Sequence, residues 1–397
     1  MFDSFFQPTW LDVCLIALLL THITIVSVTI FLHRHQAHRS VELHGLISHF
    51  FRLWLWLTTA TVTREWVAVH RKHHARVETS EDPHSPQANG IFRVLFLGAW
   101  LYRLEACKSE TLAQFGHGTP KDWIEENIYT RFTLLGPVLM LVANVTFFGT
   151  TKGLIIWSIQ ILWIPLWAAG VINGVGHFLG YRNFQTLDAS RNILPWGILI
   201  GGEELHNNHH AYASSAKLSV RPWEFDIGWF YISILRILRL ATVNRMVPQL
   251  VQRTEHQYCD ADTVKAIINN KIQVMADFLK LVVDGVYREE VGNAATNKVR
   301  KRLKHARELL HREWPTPDAD LLLNLEKQLE ASPKLNEVYS MKLRLQEIWS
   351  NNQSSGESMI DRLEEWCTHA EESGIQLLQE FASRLKGYRL ANVPANS

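Results

Sequence analysis

Residues 202–210 read G-E-E-L-H-N-N-H-H, and the rest of the chain is read outward from them. His206, His209 and His210 stand at i, i+3 and i+4, offsets that share one face of a helix, so three imidazoles are expected to point at one place. Neutral imidazole is the commonest nitrogen ligand of iron, zinc and copper, and such a face points to a metal. The pattern recurs upstream in H-R-K-H-H, at His70, His73 and His74. One such cluster among 19 histidines is within reach of chance; two are not. His33 and His38, in H-R-H-Q-A-H, close the first apolar segment. Five residues turn a straight α-helix by about 140°, so this pair is expected to serve two metals or to sit at a frayed end. Asn173 and His177, at i and i+4, close a later apolar segment. Nine histidines and one asparagine are therefore candidates for one polynuclear centre.

These boxes resemble those of the integral-membrane fatty acyl desaturases. The second matches the H-R-x-H-H form, and the third the G-E-G-x-H-N-x-H-H form, of the acyl-CoA Δ9 (stearoyl-CoA desaturase-like) branch. The resemblance covers roughly the first 230 residues and includes R-P-W-E-F-D-I-G-W at residues 221–229. It implies that His33, His38, His70, His73, His74, His177, His206, His209 and His210 hold two irons, with Asn173 acting through a water. It also implies that Glu203 orients a ligand imidazole, as outer carboxylates commonly do. His84, in Asp82-Pro83-His84, is given a supporting role rather than a ligand role. Three departures stand out: Glu204 replaces a family glycine, His35 replaces an apolar residue, and one span rather than two precedes the first box.

The activity implied by the resemblance is O2-dependent insertion of a cis double bond, at Δ9, into a saturated long-chain acyl-CoA or acyl lipid. Two electrons would come from a separate ferredoxin-, rubredoxin- or cytochrome b5-like carrier and its reductase. A membrane hydroxylase is the alternative oxygen chemistry. A metal transporter is the alternative without catalysis, but it needs ligands inside its spans, and here only His22 is internal.

The fold class expected is an all-α membrane protein: few transmembrane helices, interfacial helices, a cytoplasmic histidine-box di-iron cap and a soluble helical C-terminal region. Residues 10–32 are apolar and would rise roughly 34 Å as a helix, enough to cross a bilayer. They lack a basic leader and a small-residue cleavage site, which favours a retained span. His22 within it is expected to bond a neighbouring helix. Residues 45–62 cannot cross, because His38 and His70 would then face opposite sides; Trp54 and Trp56 are expected at headgroup level. Residues 91–102 read as a helix lying on the membrane, 132–148 and 154–172 as paired spans, and 230–240 as an amphipathic interfacial helix. Lys and Arg are absent from residues 1–32 and frequent around the boxes, so the boxes are expected on the cytoplasmic side, of a bacterial inner membrane in this reading.

Residues 1–255 are read as the membrane desaturase domain and 256–397 as a separate helical region. A helical period carried by Val264, Ile267, Ile268, Ile272, Met275, Phe278, Leu279, Val282 and Val286 starts it, with Asp262 or Thr263 as N-cap. Pro315, Pro317, Pro333 and Ser354 punctuate the remaining helical stretches. Lys298, Arg300, Lys301, Arg302, Lys304 and Arg307 make one helix basic, read as a solvated face. There is no H-P-G-G haem motif and no cysteine cluster, hence no fused electron carrier is expected. A net charge of +1 gives no general basic field for nucleic acid. Four scattered cysteines indicate no disulfide framework.

Overall fold

The computed structural model describes residues 5–253, 258–311, 319–350 and 356–391. The chain forms two compact units, one of Met1–Asn183 with Asp188–Val247, the other of Phe184–Leu187 with Pro248–Ser397.

In the first unit, α1 (Trp10–Ser27) starts at a capping box in which Thr9 Oγ1 accepts from Asp12 N and the Asp12 carboxylate accepts from Thr9 N. It continues without a break into a π-helical segment, Val28–Ala37, giving 28 helical residues. Strand β1 (Val41–Leu43) leads to α2 (Gly45–Thr59), which ends at Ala60 with a left-handed φ of 55°. Helix α3 (Thr63–Arg76) carries the second histidine box. The short α4 (Pro86–Asn89) follows, capped by Ser85 Oγ accepting from Gln87 N at 3.1 Å. Helix α5 (Ile91–Ala106) leaves Phe92, Phe96, Trp100 and Leu104 exposed in a stripe of four-residue steps. After α6 (Ser109–Phe115) and a π-helical turn at Glu125–Tyr129, α7 (Leu135–Phe148) and α8 (Thr150–Ile164) form a hairpin, and α8 runs into a further π-helical segment, Pro165–Val175.

Among the described residues, Trp10–Ala37 and Thr150–Val175 are the two helices long and apolar enough to cross a membrane. The expected pair of full spans is thus corrected: α7 begins only at Leu135, and its 14 residues rise about 21 Å. The expected five-residue loop shrinks to Gly149, whose φ of 81° reverses the chain alone. Asn144 Nδ2 donates to Gln160 Oε1 at 2.8 Å across the hairpin, joining two buried amides by one hydrogen bond. Trp54 Nε1 donates to Thr24 Oγ1 at 3.0 Å and Trp56 Nε1 to the Phe132 carbonyl at 3.1 Å, so both indoles are satisfied inside the protein. His22 Nε2 lies 2.9 Å from Tyr231 Oη, a bond to a neighbouring helix as expected.

Toward the end of this unit β2 (Trp196–Gly197) pairs in parallel with β3 (Phe225–Asp226), on either side of α9 (His206–Ala211). Asp226 then caps α10 (Ile227–Ile237), accepting from Trp229 N at 3.0 Å. This helix starts and stops three residues earlier than expected, because its cap fixes its start. Strand β4 (Ala241–Val243) returns antiparallel to β1, with Val41 opposite Val243.

The second unit pairs β5 (Leu250–Gln252) with β6 (Tyr388–Leu390) around helices. These are α11 (Ala261–Asn269), α12 (Lys271–Phe278), α13 (Asp284–Asn293), α14 (Asn297–Leu310), α15 (Ala319–Leu329), α16 (Pro333–Ser350), α17 (Gly356–Glu372) and α18 (Gln376–Lys386). Phe278, Trp366 and Phe381 meet edge to face at its centre. The N-cap of α11 is Asp260 rather than Asp262 or Thr263; Thr263 is its capping-box partner. The single period from Val264 to Val286 breaks at Asn270, whose Nδ2 turns back to the Ala266 carbonyl at 3.0 Å. Pro315, Pro317, Ser354 and the 255/256 boundary lie outside the described residues. All four cysteines are free thiols.

Candidate metal centre

The first box departs from expectation in a way its backbone explains. In the π-helical segment His38 N donates to the His33 carbonyl at 3.0 Å, an i to i+5 bond that closes the turn over five residues. His33 and His38 therefore face the same point, with ring centroids 4.7 Å apart. Arg71, inside the second box, holds that helix end by donating to the Gln36 and Ala37 carbonyls at 2.8 and 3.0 Å.

The nine histidines converge, but the second and third boxes each divide between two groups, while His33 and His38 of the first stay together. His33, His38, His70 and His209 form one, and His73, His177, His206 and His210 the other, each with candidate ligand atoms within 4.8 Å of one another. The expectation that one box aims three rings at one place is thus corrected. Residues three and four apart on a helix stand about 5–6 Å apart, so one face reaches two neighbouring positions. His74 lies between the groups, its Nε2 2.8 Å from His209 Nε2 and its ring 4.5 Å from that of His210.

The contacts themselves test a metal. Nε2 atoms approach at 3.1 Å (His33 with His209), 2.8 Å (His38 with His70) and 3.0 Å (His206 with His177). Two nitrogens at right angles around one ion, each about 2.1 Å from it, stand about 3 Å apart. The outward nitrogens are held by carboxylates. His33 Nδ1 lies 2.8 Å from Glu203, His73 Nδ1 3.0 Å from Asp82, His177 Nδ1 3.3 Å from Glu78, and His210 Nδ1 2.9 Å from Asp188. A carboxylate on Nδ1 fixes the tautomer whose Nε2 lone pair faces inward. His73 Nε2 and His210 Nε2 are buried with no hydrogen-bond partner among the described residues, as donors awaiting a cation would be. Burial is the largest cause holding His38, His70, His74, His177, His206, His209 and His210 below the ordinary imidazole pKa, so the rings stay neutral and able to ligate. The residues present fit two metal ions.

Neighbouring residues have structural work. Arg34 is fully buried, and its Nη2 donates to both carboxylate oxygens of Asp226, at 2.9 and 3.0 Å, tying the first box to β3. Glu224 accepts from Asn208 Nδ2 at 2.8 Å, next to His209, and from Val220 N and Arg221 N. Asn207 Oδ1 accepts from Asn183 N at 2.9 Å, a structural bond. His84 stacks on His73 at 4.7 Å, and His35 Nδ1 reaches the Val41 carbonyl at 3.0 Å. The Asn173 amide turns back to the Ala169 carbonyl at 3.4 Å. Sequence reading singled out Glu203 but not Glu78, Asp82 or Asp188. Their separations from their partners follow no helical period, and the motif E-D-P-H reads as a turn.

The fatty acid desaturase family model matches residues 8–257. A shorter likeness, to a transposase model, covers residues 272–392 in the second unit. A Delta-9 acyl-lipid desaturase of Arabidopsis thaliana is 29% identical over 249 residues, 60% of this chain and 76% of its own length. The sn-1 stearoyl-lipid 9-desaturase of Anabaena variabilis is 30% identical over 57% of this chain and 82% of its own length. An acyl-CoA 5-desaturase of Anemone leveillei is 31% identical over 55% and 67%. With the histidine groups in place and more than half of its length matched, the chain belongs to the fatty acid desaturase family.

Proposed function

We propose that the protein is an O2-dependent acyl desaturase that inserts a cis double bond at Δ9 of a saturated long-chain acyl group, with two irons held by the histidine groups. The observation that carries this reading is the pair of four-histidine groups backed by four carboxylates. Bound iron would supply the oxidising power that removing hydrogen from an unactivated methylene demands and that side chains lack. The protein's own groups do the rest. Burial keeps the imidazoles neutral and water away, and the carboxylates on Nδ1 set ring orientation and ligand basicity. Asn173 acts through a water, and a separate carrier with its reductase delivers two electrons.

The first box and His177 lie at the C-terminal ends of Trp10–Ala37 and Thr150–Val175, and the Lys/Arg bias supports a cytoplasmic site and an inner-membrane location. The form of the boxes favours an acyl-CoA substrate. A second reading, a lipid-borne acyl chain, is favoured by the acyl-lipid activities for which the Arabidopsis and Anabaena relatives are named.

The test is the fatty acid profile of a host expressing this chain beside one expressing His209→Ala. A new monounsaturated acid lost in the mutant supports the proposal, and the fragment masses of its double-bond adduct give the position. Hydroxylated products would replace it with an oxygenase; no product from folded, iron-loaded protein with a working carrier would overturn it. Membranes given labelled stearoyl-CoA or labelled phospholipid separate the two substrates.

A further inference from the structure

The β2–β3 ladder has two unlike faces. Gly197 and Asp226 turn inward, where Asp226 meets Arg34, while their neighbours Trp196 and Phe225 turn outward and are 63% and 39% exposed. Around them Leu194, Ile198, Leu199 and Trp223 are exposed as well. Residues 193–200, I-L-P-W-G-I-L-I, carry no charge and no polar side chain. An apolar patch of this kind, outside the spanning helices, marks an interaction surface.

Its depth follows from its neighbours on α1. Trp10, with Lys152 over its ring at 5.6 Å, marks one membrane interface. Twenty residues at 1.5 Å each cross the roughly 30 Å hydrocarbon core, which brings the other boundary to about Thr29. Thr29 Oγ1 donates to the Gly201 carbonyl at 2.8 Å, and a Cβ on Gly201 would touch Ile25 at 3.1 Å. Tyr231 reaches deeper still, to His22. The apolar turn thus lies alongside the last turns of the span.

A loop enters hydrocarbon only if its backbone groups are bonded internally. Here five N–H donors are: Phe225 N donates to the Pro195 carbonyl at 2.9 Å, Ile198 N to the Trp196 carbonyl at 3.0 Å, and Leu199 N, Ile200 N and Gly202 N to the Glu204 carboxylate at 2.7, 3.0 and 3.2 Å. Glu204 is the residue by which the third box departs from the family pattern, and this gives it a role. We propose that the turn at residues 194–199, with Trp223 and Phe225, dips into the inner leaflet as a further membrane contact, internally bonded by Glu204. The occupant of this face is the acyl region of the bilayer.

The full chain in lipid nanodiscs, photolabelled with a lipid-borne diazirine and digested for mass spectrometry, tests this. Carbene adducts are expected on the peptide holding Trp196 and Ile198 at a level comparable with α8, and not on α14. Adducts on α8 without any on the 194–199 peptide would overturn the proposal; absence from both would instead remove the spanning assignment on which it rests. Glu204→Ala, which frees three N–H donors, should move this peptide's label from the lipid-borne reagent to a water-soluble one. A folded variant with unchanged labelling would also count against the role given to Glu204.

Discussion

Asp188 shows most simply what the carboxylates around the histidines do. Its Oδ2 holds His210 Nδ1, while its Oδ1 accepts from Ser190 N at 2.9 Å. Asp188→Asn keeps an acceptor for Ser190 and removes the charge behind the imidazole. Iron affinity and turnover should fall about 10–100-fold while the melting temperature stays close to that of the parent; iron per protein by mass spectrometry decides it, and unchanged affinity sinks the assignment. Asp82 differs in degree. Burial alone would raise its pKa, but the His73 ring beside it and its hydrogen bonds outweigh that and hold the carboxyl well below the usual range. Arg34 acts on stability instead. Arg34→Met strands the buried Asp226 without a counter-charge, a loss of about 3–5 kcal/mol, seen as a lowered melting temperature in detergent. A melting temperature unchanged by Arg34→Met would show the pair to be dispensable.

At the scale of helices, the sites depend on close backbone crossings. Gly98 of α5 lies on the Ala169 carbonyl and Gly170 on that of Leu95, with no room for a Cβ at either. This crossing sets the position of the π-helical segment that leads to His177. Gly98→Leu should overpack it, costing about 1–3 kcal/mol, and should lower iron content through the His73, His177, His206 and His210 group first. Equal loss from both groups, read by Mössbauer spectra of the iron-loaded variant, would contradict that ordering. These crossings also mark where sequence ceased to be legible. The histidines, the two long apolar helices and the presence of a helix at α5 were readable because residue type and period alone specify them. The shared orientation of His33 and His38 was not, since an i to i+5 backbone bond leaves no trace in a pattern read at 3.6 residues per turn. Nor was the partnership of Glu78 with His177, or of Arg34 with Asp226, because contacts distant in sequence carry no spacing. The Asn270 break in the second unit was hidden for a similar reason: its side chain competes with the backbone, while the apolar period runs on through it.

For the molecule as a whole, the buried imidazoles predict how it responds to acid. Seven of them have pKa values lowered chiefly by burial, so below the unfolded value of about 6.5 the unfolded chain binds more protons than the folded one. Their contribution to stability is complete above that pH and is lost as pH falls through it, at up to about 1.4 kcal/mol per unit for each ring. Bound iron competes with those protons, so iron release and the fall in melting temperature should share one midpoint on the acid side of neutrality. A melting temperature flat between about pH 7 and 5 would mean that the rings are not held neutral.

The second unit invites a separate test, because its core is its own. The buried side chains from Cys259 to Tyr388, among them Phe278, Leu335, Trp366 and Leu385, form one apolar cluster made entirely within it. Strands β5 and β6 close its two ends on each other, with Leu250 opposite Leu390. A unit that satisfies its apolar faces internally and has its termini paired has what it needs to fold alone. A fragment of residues 248–397, which omits only the Phe184–Leu187 segment of this unit, should therefore be soluble without detergent, helical by circular dichroism, and should unfold in a single cooperative step with urea. An insoluble fragment, or one whose helical signal fades gradually without a transition, would show that this core requires the rest of the chain.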